Sequence, residues 1–260
     1  AELVLIGSSQ RQAGDEIAST LADFTSAGLR AHYYRCNVTD AAAVAGVVAQ
    51  IEVEVGPITG FVHGAGANVP RRFERVDSAA AFKEVAPKVL GAANFVEALA
   101  DRDLKLFVGF SSIIGFTGMP GNSWYAYGNE LLDEMVVRYA AGHPKTRTFS
   151  LAYSVWGETG MGARMGSVNH LAKMGVMPIS TAAGVDHFLR LVDSGPEASR
   201  IVVTSRLGGL DTWAPAAPAL PAVSRYIDQV VTFEPQVELV TRTTLSTSAD
   251  PFVLDHVWKG

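Results

Sequence analysis

Short apolar runs recur along this chain, each followed by a turn and then by a stretch of helical character. That alternation constrains the fold more than any other feature. Residues 3–6 (LVLI) close at Gly7, residues 31–35 run into CNVTD, and residues 58–63 run into Gly64, Ala65 and Gly66. Residues 104–110 end at the pair Ser111 and Ser112, and residues 148–153 and 200–204 complete the set. Continuous apolar runs suit strands covered on both faces. Between them the pattern predicts helices over 15–27 (stopped by Gly28), 41–53 (capped by Thr39 and Asp40), 78–100, 123–141 (stopped by Gly142 and Pro144) and 181–193. Strands alternating with helices predict an α/β fold built on a parallel, doubly wound, Rossmann-like sheet.

Composition narrows the function classes. Hydrophobic residues make up 48% and charged residues 18% of 260, which allows a sizeable core and argues against disorder. The net charge is −5 and no basic run occurs, so nucleic acid is not an expected partner. The single cysteine, Cys36, allows no internal disulfide framework and fits a reducing, cytoplasmic compartment. No Cys/His cluster has zinc spacing, so no metal is expected. No apolar stretch approaches the ~20 residues that span a bilayer, so no membrane partner is expected. The opening AELVLIG lacks the basic flank of a signal peptide and starts at the edge of a strand, as expected of a piece cut from a longer protein.

The chemistry-bearing stretch is FVGFSSIIGFTGMPGNSWYAYGN, residues 107–129. It reads as a buried strand, a serine pair, a Gly-rich turn over 115–121 and a helix. Ser112 stands thirteen residues before Tyr125, and Tyr125 and Asn129 share one helix face. Each residue type has an ordinary alternative. A tyrosine early in a helix packs, a Ser-Ser pair caps the next helix, and a helix lysine is solvated. The combination, however, resembles the ketoreductase domains of type I polyketide synthases and polyunsaturated fatty acid synthases, relatives of the short-chain dehydrogenase/reductases. Simpler members of that superfamily carry Tyr-x-x-x-Lys. The synthase branch carries Asn after the tyrosine and moves the lysine upstream, where Lys88 stands in APKVLGAAN.

The resemblance implies reduction of a β-ketoacyl thioester, carried on the phosphopantetheine of an acyl carrier protein, with NADPH as hydride donor. Tyr125 is then the proton donor. Lys88 lowers its pKa and holds the nicotinamide ribose. Ser112 bonds the substrate carbonyl, and Asn129 positions the group that returns a proton to Tyr125. Gly64, Ala65 and Gly66 match the family's small-residue turn at the adenosine-phosphate region. Asn37 and Val38 stand beside the adenine, with Asn37 where the family usually has Asp. Ser8 stands where NADPH-using members usually place Arg, and Arg11 is the cation that could reach round to a 2′-phosphate. Met161 and Met165, in the glycine- and methionine-rich residues 157–175, are expected to form a flexible lid over the acyl chain. The family's stereochemical markers are missing: Ala67, Asn68 and Val69 replace Leu-Asp-Asp, and Thr117 stands where a tryptophan marks the opposite class. Histidines 63, 143, 170 and 187 are read as structural.

Two features concern extent. GSSQRQAG lacks the Gly-x-Gly core of a phosphate-binding turn. Only about thirty residues separate LVLIG from CNVTD, room for one strand–helix unit. LVLIG therefore resembles the family's second strand, and the sheet is expected to lack its first. The domain is read as residues 1–213, followed by a Pro/Ala linker over 214–224. Residues 225–260 are read as a short β segment, including a strand over 237–245, that opens a dehydratase-like hot-dog domain, with His256 and Gly260 matching the first half of its His-x-x-x-Gly motif. Neighbouring synthase domains are the implied partners. Two rival readings stand beside this one: a free-standing alcohol dehydrogenase, against which Asn129 and the tail argue, and a non-catalytic scaffold, which the missing Gly-rich turn and Ser8 favour and the intact Ser112, Tyr125 and Lys88 set opposes.

Overall fold

The computed structural model describes residues 2–12, 14–207, 227–234, 237–248 and 250. The linker over 214–224, the domain border at 213 and His256 lie outside the described residues. Strand β1 (Glu2–Gly7) leads to helix α1 (Glu16–Ser26), whose first turn Asp15 caps by accepting from the Ala18 amide at 2.7 Å. Strand β2 (Arg30–Arg35) leads to α2 (Ala41–Glu54), capped in the same way by Asp40. Strand β3 (Gly60–His63) is followed by the Asp77-capped α3 (Ser78–Ala98), and β4 (Leu106–Ser112) by the short α4 (Ile113–Thr117) and long α5 (Ser123–Gly142). Strand β5 (Arg147–Tyr153) precedes α6 (Gly160–Arg164), α7 (Val168–Lys173) and α8 (Thr181–Ser194), and β6 (Arg200–Val203) follows.

Three details differ from the sequence expectation. The turn over 115–121 begins as α4, because Ser112 caps a helix there. Residues 157–175 carry α6 and α7 rather than an irregular loop, and Trp156 forms an isolated parallel bridge with Ile179 that anchors the segment. The strand expected over 237–245 is β8 (Glu238–Arg242), and it pairs antiparallel with an unforeseen β7 (Gln229–Glu234).

The parallel strands fall into two sheets, β1–β2 and β3–β4–β5–β6. Among the described residues no ladder joins β1 to β3. The doubly wound sheet is thus interrupted where the family's first strand is expected. Both halves still feed one core: Val4 and Ile6 of β1 and Phe61 of β3 pack around Val44, Ile51, Phe95 and Leu99. The interruption shows in exposure: Val62 on β3 is 46% exposed, whereas Val108 and Phe149 on the neighbouring strands are fully buried.

Strand β4 is sandwiched. Its residue Phe107 packs against Ala92 of α3 and Leu132 and Val136 of α5. On the opposite face Val108 and Phe110 meet α8, with the Phe110 and Phe188 rings stacked 5.6 Å apart. Gly109 faces α5, and a Cβ there would lie 2.8 Å from Val136 Cγ2, so the helix rests directly on the strand backbone. Gly109→Ala is therefore expected to lower stability by about 1–3 kcal/mol through overpacking. Guanidinium denaturation checks this, and an unchanged midpoint would mean that α5 is not seated on β4 this tightly.

Candidate active site

Ser112 ends β4 and caps α4, its hydroxyl accepting from the Ile114 amide at 3.3 Å. Tyr125 and Asn129 stand one turn apart at the start of α5, and the Asn129 amide donates to the Tyr125 carbonyl at 2.7 Å. Gly115 permits the approach of α4 to α5, since a Cβ there would lie 3.1 Å from Asn129 Cβ and from the Glu130 amide nitrogen. Burial raises the Tyr125 phenol above its usual value, while hydrogen bonds with Ser112 and Asn129 oppose the rise. The direction differs from the expected lowering: enclosure disfavours the phenolate more than its hydrogen-bond partners favour it.

Lys88 is itself nearly inaccessible, at 5% exposure. Its Nζ donates to the Phe110 carbonyl at 2.9 Å, two residues before Ser112 on the same strand. Its alkyl chain crosses Gly66, where a Cβ would lie 3.0 Å from Cε. Gly66 thus makes room for the lysine, a role the sequence reading did not give it. His63 Nε2 lies 2.9 Å from the Lys88 carbonyl and must carry the hydrogen, because a carbonyl only accepts. Burial, with the nearby Lys88 charge, holds His63 down to about 4, so the ring is neutral and structural, as read from sequence. Burial lowers the Lys88 amine to about 8, and the Asp133 carboxylate opposes the fall.

The strand ends toward β1 and β2 carry the remaining candidates. Gly64 has nothing within 4 Å of a built Cβ and is open to a close-approaching group. Asn37 is exposed, and its Oδ1 accepts from the Thr39 amide and hydroxyl, leaving the amide nitrogen to act outward. Val38 packs on Gly91, and its carbonyl accepts from Asn94 at 2.9 Å. Ser8 and Arg11 are exposed. Sequence reasoning missed Arg35: parallel register sets it beside Gly7, and its Nε donates to the Ser8 carbonyl at 3.2 Å. The signal was the Arg that closes the second apolar run.

Beyond Gly66, Ala67, Val69 and Arg71 line a cavity of about 320 Å³ with Asp77, Lys83 and Glu84 of α3. Arg71 and Glu84 form a 2.8 Å ion pair there, one helical turn before Lys88. Met161 is half-buried on α6 and Met165 exposed at its end. No group of His, Cys, Asp or Glu among the described residues could hold a metal ion, and no described helix is long and apolar enough to cross a membrane.

Residues 1–158 match the KR domain family. Phenolphthiocerol synthesis polyketide synthase type I Pks15/1 of Mycobacterium bovis is 33% identical over 197 residues, 71% of this chain and 9% of that one. Polyketide synthase GfsE of Streptomyces halstedii is 35% identical over 187 residues, 67% of this chain. The chain spans only 4% of that protein's length. Among solved structures, PlmKR1, the ketoreductase from the first module of phoslactomycin biosynthesis in Streptomyces sp. HK803, superposes with a TM-score of 0.70 at 28% identity, covering 78% of this chain and 46% of that one. A gluconate 5-dehydrogenase from Burkholderia cenocepacia in complex with NADP and tartrate shares the fold, with a TM-score of 0.66 at 18% identity over 82% of this chain and 87% of that one.

The lowered Lys88 value sets a pH dependence. Below about 8 both the folded and the unfolded chain hold this proton, and the folded chain carries the cost of a buried charge. Between about 8 and the ordinary 10.5 only the unfolded chain binds it, so stability rises with pH across that window. Relative to Lys88→Met, the wild type should gain on the order of 3 kcal/mol from pH 7 to pH 10.5, read from denaturation midpoints. Parallel pH profiles for the two proteins would remove the buried charge from the site.

Proposed function

The chain belongs to the KR domain family, and from that membership we propose that it is the ketoreductase of a multidomain polyketide or polyunsaturated fatty acid synthase. It reduces a β-ketoacyl thioester, presented on the phosphopantetheine arm of an acyl carrier protein, to the β-hydroxyacyl thioester. The observation that carries this reading is the meeting of Ser112, Tyr125 and Asn129 at the end of β4, with the buried Lys88 amine bonded to the same strand.

NADPH supplies the hydride for the ketone carbon. Lys88 holds the nicotinamide ribose. Asn37, Val38, Gly64, Ala65 and Gly66 form the small-residue edge on which the adenosine end rests. Arg35, tethered to Ser8, supplies with Arg11 the cationic fork that a 2′-phosphate needs and Ser8 lacks. Ser112 donates to the substrate oxygen and fixes its distance from Tyr125. The phenol then protonates that oxygen as the hydride arrives. Burial keeps the phenol protonated through the neutral range, so it holds the proton it is to donate. Asn129 places the carbonyl of Tyr125 and its own buried Oδ1, which has no hydrogen-bond partner, beside the route by which the proton is replaced. The cavity between residues 67–71 and α3 takes the thioester arm, with Met161 and Met165 beside the acyl chain.

In the longer polypeptide, Tyr125→Phe should lower NADPH-dependent turnover of a β-ketoacyl-thioester surrogate by about 10²–10⁴. Equal turnover by the two proteins would remove Tyr125 from the chemistry, and turnover by neither would favour the scaffold reading.

The 260 residues by themselves should bind NADPH weakly, because among the described residues no strand lies between β1 and β3, and the turn after β1 lacks the Gly-x-Gly core. A fluorescence titration checks this. Tight binding would show that the visible half-sites suffice.

A further inference from the structure

Strand β6 sends one cation toward the reacting groups, and the reductase reading leaves it unused. Arg200 opens β6, opposite Ser150 of β5 in the parallel register. Its Nη1 donates to Glu130 Oε1 of α5 at 3.1 Å, and its Nη2 bonds Oε2 of the same carboxylate. Nη2 also lies 3.2 Å from Oδ2 of Asp133, three residues farther along α5 and fully buried. The guanidinium carbon stands over the Phe116 ring of α4, 4.8 Å from its centre. One planar group thus meets two carboxyl groups of α5 along its edge and a ring of α4 on its face.

These contacts fall where the site supports itself least. Helix α4 has five residues, too few to keep a helical course unaided. Ser112 caps its start, and Gly115 brings its middle against Asn129 and Glu130. Phe116 directly follows Gly115, and Glu130 directly follows Asn129. The guanidinium therefore touches both sides of the α4–α5 seam, at the residue next to the close approach on one side and within it on the other. Phe116 is 46% exposed, so the contact does not serve to bury the ring. Charge alone would not reproduce it, because a lysine keeps the cation and loses both the fork and the flat face.

We infer that Arg200 is a positioning residue of this site: its guanidinium clamps α4 to α5, and the clamp keeps Ser112 in place against Tyr125 and Asn129. The clamp stands on contacts within the chain; its use in turnover rests on the reductase reading.

The test compares wild type, Arg200→Lys, Phe116→Leu and the double variant as 15N-labelled 260-residue chains. Amide hydrogen exchange is read at two positions. Gly118, whose N–H bonds the Ile114 carbonyl at 2.8 Å, reports α4. Val108, at the centre of β4 between β3 and β5, reports the sheet. Arg200→Lys should speed exchange at Gly118 on the order of tenfold and leave Val108 unmoved. Phe116→Leu should do the same, and the double variant should add nothing further. Unchanged exchange at Gly118, or equal acceleration at both positions, would overturn the clamp. If Arg200→Lys does not fold, Phe116→Leu decides by the same two amides. In the longer polypeptide, Arg200→Lys should lower kcat about tenfold at unchanged KM for NADPH. An unchanged kcat would overturn the positioning role. The exchange readout needs neither turnover nor nucleotide, so failure of the clamp is separable from failure of the reductase reading, which the Tyr125→Phe assay decides.

Discussion

The site is organised by an amine that has been taken out of water. An ammonium in a protein interior loses its hydration and stays charged only where acceptors and a counter-charge replace it. Lys88 is given one acceptor, the Phe110 carbonyl, and one opposing charge, Asp133. Each neighbour of the lysine is fitted to that arrangement. Gly66 omits the Cβ that would press on Cε. His63 binds the backbone of the same residue as a neutral ring, adding no second positive charge. The amine is therefore fixed by three elements, α3, β3 and β4, before any ligand contributes.

That fixation depends on how closely α3 and α5 lie on β4. Phe107, Gly109 and Ser111 make the strand face narrow, and the helices approach the backbone itself at Gly109. One helix face then carries Tyr125, Asn129 and Asp133 in succession. Its outer end is the half-buried Tyr125, and its inner end is the Asp133 carboxylate, which accepts from Ser150 of β5. Ser150 of β5 and Arg200 of β6 contact the Asp133 end of the face, so the register of α5 is set by a hydrogen bond and charge as well as by apolar packing.

The strands and long helices were legible in the sequence because their signals are local. Continuous apolar runs marked β1 to β6, and Asp40, read as a cap of α2, accepts from the Ala43 amide as Asp15 and Asp77 do at α1 and α3. The pattern Ser112, Tyr125, Asn129 was legible because it lies within one strand–helix unit. What was not legible depends on distance in space. No spacing rule says that Gly66 makes room for Lys88, that Arg35 lies beside Ser8, or that Asp133 of α5 accepts from Ser150 of β5. The rise at Tyr125 was not legible for the same reason: enclosure, which the sequence does not display, outweighs the hydrogen bonds that oppose it. The helices α6 and α7 were missed because glycines and methionines hide a helical period too short to read.

The interrupted sheet divides the work of the molecule. Ser112, Tyr125, Asn129 and Lys88 stand with the four-stranded half, where Val108, Phe149 and Leu151 are fully buried on β4 and β5, the strands paired on both sides. Everything proposed to grip the adenosine end, except the Gly64–Gly66 turn, stands on the two-stranded half. In a doubly wound sheet a dinucleotide lies across the crevice at the carboxyl ends of the strands, where strand order reverses. Here that crevice coincides with the break between β1 and β3. The two halves are joined by side-chain packing of Val4, Ile6 and Phe61 on α2 and α3 rather than by a hydrogen-bonded ladder. Apolar packing is less directional than a ladder. The proton-handling geometry is thus determined within one half, while the spacing between it and the nucleotide edge is set by the weaker constraint.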